Sequence, residues 1–337
     1  MNPPTNNDAV ILQGVTKRFG AKAAVDNLDL RIPAGSLCGF LGPNGAGKTT
    51  TIRMIMAIII PDSGSLSVLG RDSAIESKDR IGYLPEERGV YRTMRVAEFL
   101  NYMARLKGAD DAGLNKRIDD WLERVALPDV RKKRCQELSK GMQQKVQFVA
   151  TIIHDPDLII LDEPFSGLDP VNARLLRELV KELHAQGKTI VFSTHVLPAA
   201  EQICQRVFMI NRGKKVLDGT VAEIRAQHDP RTLIVEPLSA SDADPSRYER
   251  IQGVRSALRE GSPSAPVVEI HMHEGADAQR VLLDVASIAP SRRVELRRAT
   301  LEDVFVSLVN TGDSEDDLRR ALRADDAAAE AMEPANA

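Results

Sequence analysis

The run Gly42-Pro43-Asn44-Gly45-Ala46-Gly47-Lys48-Thr49-Thr50 constrains this chain more than any other stretch. Its spacing is G-x-x-x-x-G-K-[ST], entered from the short apolar run 37–41 and left through a helix-compatible run at 50–55. Gly42, Gly45 and Gly47 lack a Cβ. The loop they make with Pro43, Asn44 and Ala46 can therefore take positive φ and close successive backbone N–H groups around phosphate oxygens. A helix beginning near Lys48 adds its unpaired N-terminal N–H groups and the positive end of its dipole. Lys48 can reach the β/γ-phosphates, the Thr49 hydroxyl can ligate Mg²⁺, and Thr50 follows as a further hydroxyl.

The rest of the chain is compatible with an α/β sheet around this loop. Residues 9–12 and 27–32 read as strands ahead of it, with Phe19 between them suited either to a core or to stacking on adenine. The apolar run 54–60 reads as part of the helix after the loop, and is far shorter than the roughly 18 to 20 residues that cross a bilayer. From Arg95 the period changes to helical. Val96, Phe99, Leu100, Met103 and Leu106, then Ile118, Trp121, Leu122 and Val125, predict two helices in an insert, with Trp121 in the core. Ser139 is a good N-cap for a third, running through Ile152.

Residues 158–161 form a continuous apolar run that ends in Asp162-Glu163, as expected of a parallel strand covered on both faces with acids emerging at its C-terminal end. Strands at 189–194 and 207–210 alternate with helices at 173–184 and 198–204, which implies a largely parallel sheet. His195 follows one of these strands on the edge that holds the loop and the acids. After about residue 227 the order strand 232–236, helix 245–251, strands 254–259 and 267–272, helix 276–289 and strand 293–297 spells a small α+β, ferredoxin-like domain over 228–311, closed by a helix at 301–309. The remainder, 312–337, is acidic and alanine-rich, the composition of a disordered tail.

Charge and cysteine usage exclude other classes. A formal net charge of -3 gives no basic bias toward nucleic acid, so no direct nucleic-acid binding is expected. Cys38, Cys135 and Cys204 are an odd count without C-x-x-C spacing, which favours a reducing compartment. The first residues lack the basic and apolar regions of a secretory signal, so a cytoplasmic location is expected.

Taken in order, 42–49, Leu138-Ser139-Lys140-Gly141-Met142, 158–163, Ser166-Gly167-Leu168-Asp169 and His195 resemble the ATP-binding subunit of an ABC transporter. The resemblance covers residues 1–227, with the helical insert at about 90–155. The wording 83–89, 138–145 and Leu301-Glu302-Asp303-Val304-Phe305 is further similar to exporter ATPases of the sodium-efflux type. The resemblance implies a P-loop NTPase core with a helical subdomain, Mg²⁺-dependent ATP hydrolysis, and two such subunits, a homodimer, facing head to tail. ATP would lie between the phosphate loop of one and Ser139 and Gly141 of the other. Asp162 would hold Mg²⁺ through its water shell, Glu163 would orient or deprotonate the attacking water, His195 would hydrogen-bond the γ-phosphate, and Asp169 would join the two sites.

This family resemblance implies an energy-coupling ATPase that drives an integral membrane permease from the inner face of the cell membrane, as an exporter of sodium, another ion or a drug. The alternative is a soluble ABC ATPase acting on the ribosome or DNA. Such relatives carry two cassettes or a long coiled coil, which this chain lacks. It departs from the family at Glu86, where Gln is usual but a carboxylate can still coordinate Mg²⁺, and at Lys140 and Met142 in place of Gly and Gln.

Overall fold

The computed structural model describes residues 8–87, 89–110, 112–228, 231–262 and 265–309; the expected tail at 312–337 lies outside them. They divide into two compact units, with the division between Val221 and Ala222.

The first unit opens with a long hairpin, β1 (Asp8–Phe19) and β2 (Lys22–Pro33), followed by β3 (Leu37–Leu41), α1 (Lys48–Ile55) and β4 (Ser63–Val68). Strands β2, β1 and β4 form a separate antiparallel sheet in that order. This sheet corrects two short strands into 12-residue ones. Alternation is broken in β1 by register shifts after Leu12 and by Gly14 at φ 59, so only its first half reads as a strand in sequence. Helix α1 is also shorter than its apolar run: it is capped by Met56, and Ala57 turns into the left-handed region at φ 54, so 56–60 is not helix.

Next come β5 (Ile81–Leu84), the inserted helices α2 (Val96–Leu106), α3 (Leu114–Arg124) and α4 (Lys140–Ile152), then β6 (Leu158–Asp162), α5 (Pro170–Ala185), β7 (Thr189–Thr194), α6 (Leu197–Ile203), β8 (Arg206–Asn211) and β9 (Lys214–Thr220); α7 (Val221–Gln227) begins at the division and belongs otherwise to the second unit. The main sheet has the order β5-β6-β7-β3-β8-β9, parallel except at β8–β9. Strands β3, β6 and β7 are buried at every residue, which is why β3 and the first four residues of β6 read as apolar runs, while β7 carries its hydroxyls at its ends. One core cluster gathers Leu12, Leu30 and Ile32 of the hairpin, Ile52 and Ile55 of α1, and Phe40, Ile160 and Phe208 of the main sheet. It fixes α1, and hence the loop before it, between two sheets. Trp121 is half-buried rather than core; the Arg124 guanidinium lies 3.9 Å over its ring.

The second unit contains β10 (Thr232–Pro237), α8 (Pro245–Tyr248), β11 (Val254–Ser262), β12 (Ala265–Met272), α9 (Ala278–Ile288), β13 (Ser291–Arg297) and α10 (Leu301–Val309). Its antiparallel order β11-β12-β10-β13 is that of a split β-α-β unit. Its core packs Leu233, Val268, Ile270, Tyr248, Val281 and Val285. The first helix is a single turn, ending at Tyr248 rather than residue 251, because Tyr248 turns its ring into the core and its hydroxyl donates to the Asp242 carbonyl at 2.9 Å. Among the described residues no helix is long and apolar enough to cross a membrane.

Candidate functional site

The three loop glycines are required for different reasons. A Cβ on Gly42, at φ 147, would fall 2.2 Å from the Ile210 carbonyl oxygen of β8, and one on Gly47, at φ 113, would fall 2.4 Å from the Ala24 carbonyl oxygen of β2. Gly45 has open space around it and is required only by its φ of 74. The loop is braced from outside as well: Gly213 N donates to Ala46 O at 2.8 Å, and Asp26 N donates to Gly213 O at 2.9 Å.

Helix α1 has Gly47 as its N-cap, with no side chain bonding its first N–H groups. Uncapped donors at a dipole's positive end suit an anion. Lys48 is buried and folds back over the loop, its ammonium donating to Gly42 O at 2.6 Å and to Pro43 O at 3.3 Å. Beside it opens a cavity of about 340 Å³ lined by Asn44, Gly45, Ala46, Gly47, Lys48, Thr49 and Thr50 on one side. Phe19, Lys22 and Ala24 from the hairpin, with Glu86 and Glu163, line the rest. Phe19 is 54% exposed, so its ring is not part of a core.

The acids are placed by strand register. Asp162 pairs with Ser193 across β6 and β7, which brings the residue after each strand end together. Glu163 sits at φ 46, a left-handed conformation uncommon for a side chain-bearing residue, and the bend turns its carboxylate toward β7. There Glu163 Oε2 accepts from Thr194 Oγ1 at 3.1 Å, while Oε1 accepts from the His195 backbone N at 3.0 Å and lies 2.9 Å from His195 Nδ1. A carboxylate facing Nδ1 makes that nitrogen the proton donor.

Beneath Glu163, Ser193 Oγ donates to Asp162 Oδ1, whereas Asp162 Oδ2 is buried with no hydrogen-bond partner. Burial pushes the Asp162 carboxyl up and Glu163 adds to this; the Ser193 hydroxyl, Lys48 and the nearby Thr49 hydroxyl pull it down. An orphaned carboxylate oxygen close to a threonine hydroxyl is the donor chemistry of a hard cation that keeps part of its water shell, so these residues fit Mg²⁺. Glu86 follows β5 and shares the cavity. Burial, then the charges of Asp162 and Glu163, raise its pKa; Lys48 and His195 oppose them.

Gly42 and Pro43 form the base of the loop without lining the cavity, and Ser139, Gly141 and Asp169 belong to other surfaces of the same unit. Ser139 is exposed and caps α4, its Oγ accepting from Met142 N at 3.3 Å. Lys140 is exposed beside it. A Cβ on Gly141 would meet Leu168 Cδ2 at 3.5 Å, so the start of α4 lies against the segment that ends at Asp169. Asp169 caps α5, accepting from Val171 N at 3.0 Å and Asn172 N at 2.9 Å, bonds that hold its carboxyl below the usual range. The motifs miss Lys22 and Ala24, which only the hairpin fold brings to the cavity. They also pass over Ser193 and Thr194, for which a Ser-Thr-His strand end beside an acid pair is the available signal.

Two family models match the chain: ABC transporter over residues 25–166, and the C-terminal domain of ATP-binding protein DrrA1-3-like over residues 219–309. The chain is 39% identical over 295 residues to the uncharacterized ABC transporter ATP-binding protein YhaQ of Bacillus subtilis, covering 88% of this chain and 96% of that one. It is 37% identical to the ABC transporter ATP-binding protein NatA of the same organism (64% and 91% of the two chains). With the Nod factor export ATP-binding protein I of Cupriavidus metallidurans it shares 36% identity (63% and 71%). A solved structure titled as the ATP binding subunit of an ABC transporter superposes with a TM-score of 0.61 at 30% identity, covering 65% of this chain and 92% of that one.

Proposed function

The chain belongs to the family of ABC transporter ATP-binding subunits, and from that premise we propose that it is the Mg²⁺-dependent ATPase of an exporter, energising a separate integral membrane permease from the cytoplasmic face. Membership implies ATP binding and hydrolysis. The observation that carries the finer reading is the cavity in which the uncapped start of α1, Lys48 and Glu163 face one another. Export is supported by relatives such as the Nod factor export ATP-binding protein I; the cargo class, sodium or another ion or a drug, belongs to the permease.

In this reading phosphates occupy the loop and adenine lies on Phe19. Thr49, Asp162 and Glu86 would hold Mg²⁺, which would supply charge neutralisation to the phosphate oxygens. Glu163 then orients and deprotonates water for in-line attack, and His195 holds Glu163 until nucleotide draws the imidazole to the γ-phosphate. A second copy closes the site with Ser139 and Gly141, so ATP acts as the adhesive of the dimer and its loss releases it. Asp169 meets the same interface. The insert and the 86–94 loop, with half-exposed Tyr91, form the surface for the permease.

Phe19→Ala should weaken ATP binding about tenfold, since stacking on a base is worth roughly 1–3 kcal/mol, whereas Phe19→Tyr should bind as wild type. Titration with a fluorescent ATP analogue reads both; equal affinities for all three forms would remove Phe19 from the site. The function itself is tested by purifying the Glu163→Gln form from detergent-solubilised membranes with ATP and Mg²⁺ and identifying co-purifying chains by mass spectrometry. A stoichiometric multi-span protein is expected. Recovery with ribosomal or DNA-bound proteins, and no membrane chain, would establish the soluble alternative.

A further inference from the structure

Helix α4 carries a buried polar face that nucleotide binding does not use. Gln144 (3%), Lys145, Gln147 and Thr151 (5% each) are almost fully enclosed among apolar neighbours of the same helix. Gln144, Gln147 and Thr151 recur at i, i+3 and i+7 on one side, and each reaches the backbone of a segment at the site. Gln144 Nε2 donates to Pro164 O at 3.3 Å, directly after Glu163. Gln147 Nε2 donates to Glu87 O at 3.4 Å, directly after Glu86. Thr151 Oγ1 lies 3.4 Å from Tyr83 O at the end of β5.

Lys145 is turned a quarter of the way round the helix. Its ammonium donates to Asn172 Oδ1 at 3.0 Å, and Asn172 Nδ2 donates in turn to Asp169 Oδ2. The Lys145 ammonium meets a neutral amide oxygen with the Asp169 carboxylate near enough to favour its charge, a placement whose desolvation cost an apolar side chain of similar length would avoid. The 164–169 segment is thus gripped at both ends by adjacent residues of one helix: Pro164 by Gln144, Asp169 through Asn172 by Lys145. Gln147 Oε1 is buried without a hydrogen-bond partner.

We propose that Lys145, acting through Asn172, is a positioning residue that links the Ser139 end of α4 to the 164–169 segment directly after Glu163, so that engagement of Ser139 by nucleotide sets the acid at the head of that segment. This rests on the reading that Ser139 meets the nucleotide bound to a second subunit. Because α4 is a continuous helix from its Ser139 cap, a shift at that end moves Gln144 and Lys145 together, and with them the whole 164–169 segment.

The test compares kcat with affinity for a fluorescent ATP analogue in the full-length chain. Lys145→Met and Asn172→Ala are each expected to lower kcat about tenfold with affinity changed less than about twofold, the signature of lost positioning. Lys145→Arg should recover most of the rate, since a guanidinium can still donate to Asn172 Oδ1. Asn172 is only half-buried, so its variant decides the matter if Lys145→Met does not fold. Unchanged kcat, or kcat and affinity lost together, in the folded variants overturns the proposal. Hydrolysis by Ser139→Ala at the wild-type rate instead overturns the reading on which it rests.

Discussion

Replacing Glu163 with Gln is expected to slow ATP hydrolysis by about two to three orders of magnitude while leaving ATP affinity within about twofold and the fold intact. The substitution is conservative in shape and radical in chemistry. Gln can keep its Oε1 toward the His195 N–H and Nδ1, and can turn its amide toward Thr194, whose hydroxyl accepts as readily as it donates. The positive φ of 46 is no harder for Gln than for Glu. What disappears is the charge and the basicity that would take a proton from water. Turnover should collapse while binding survives, and a nucleotide-bound dimer that wild type dissolves by hydrolysis should persist. Single-turnover ATPase assays and analytical ultracentrifugation with ATP measure both, and turnover near the wild-type rate would remove Glu163 from the role of base.

Gly47→Ala should abolish measurable ATP binding at micromolar nucleotide and lower the midpoint of thermal unfolding. The new methyl group would stand 2.4 Å from the Ala24 carbonyl oxygen, at a φ of 113 that L-residues rarely adopt. Relief by moving Ala24 is blocked, because the neighbouring Asp26 N is tied to Gly213 O and Gly213 N to Ala46 O. Relief by moving Gly47 would disturb its carbonyl, which accepts from both the backbone N and the hydroxyl of Thr51 at the start of α1. Backbone strain and overpacking each cost about 1–3 kcal/mol, and together they displace the N–H groups that receive phosphate. Gly45→Ala supplies the contrast. With open space around it and a φ of 74, it pays only the left-handed backbone cost of about 1–2 kcal/mol and should keep ATP binding within about tenfold. Equal losses in the two variants would show that the close approach to Ala24 does not matter.

What could be read from sequence was what neighbouring residues decide. The phosphate loop announces itself because glycine spacing and a following helix are local. The apolar run ending in Asp162 reads as a strand because both faces of β6 are covered and no alternation competes. The antiparallel sheet was poorly legible: register shifts after Leu12 and the left-handed Gly14 break the period of β1, and no local pattern says that β4 will pair with it. Lys22 and Ala24 reach the cavity only because β2 folds back on β1. The polar face of α4 was least visible, since Gln144, Lys145 and Gln147 look like a solvated helix side until the segments they bond are brought over them.

The brace on the phosphate loop also sets a timetable. Strand β3 and the loop are complete by residue 50, yet β3 lies in the sheet between β7 and β8, and the loop leans on the Ile210 carbonyl and the Gly213 N–H. Every one of those supports is synthesised more than a hundred residues later. Contacts of such long sequence separation form late, so a nascent chain displays its glycine-rich segment well before that segment can hold a phosphate. Nucleotide capture by this protein is therefore a property acquired near the end of translation of its first unit, and a ribosome stalled before Gly213 carries a chain that has the motif and not the site.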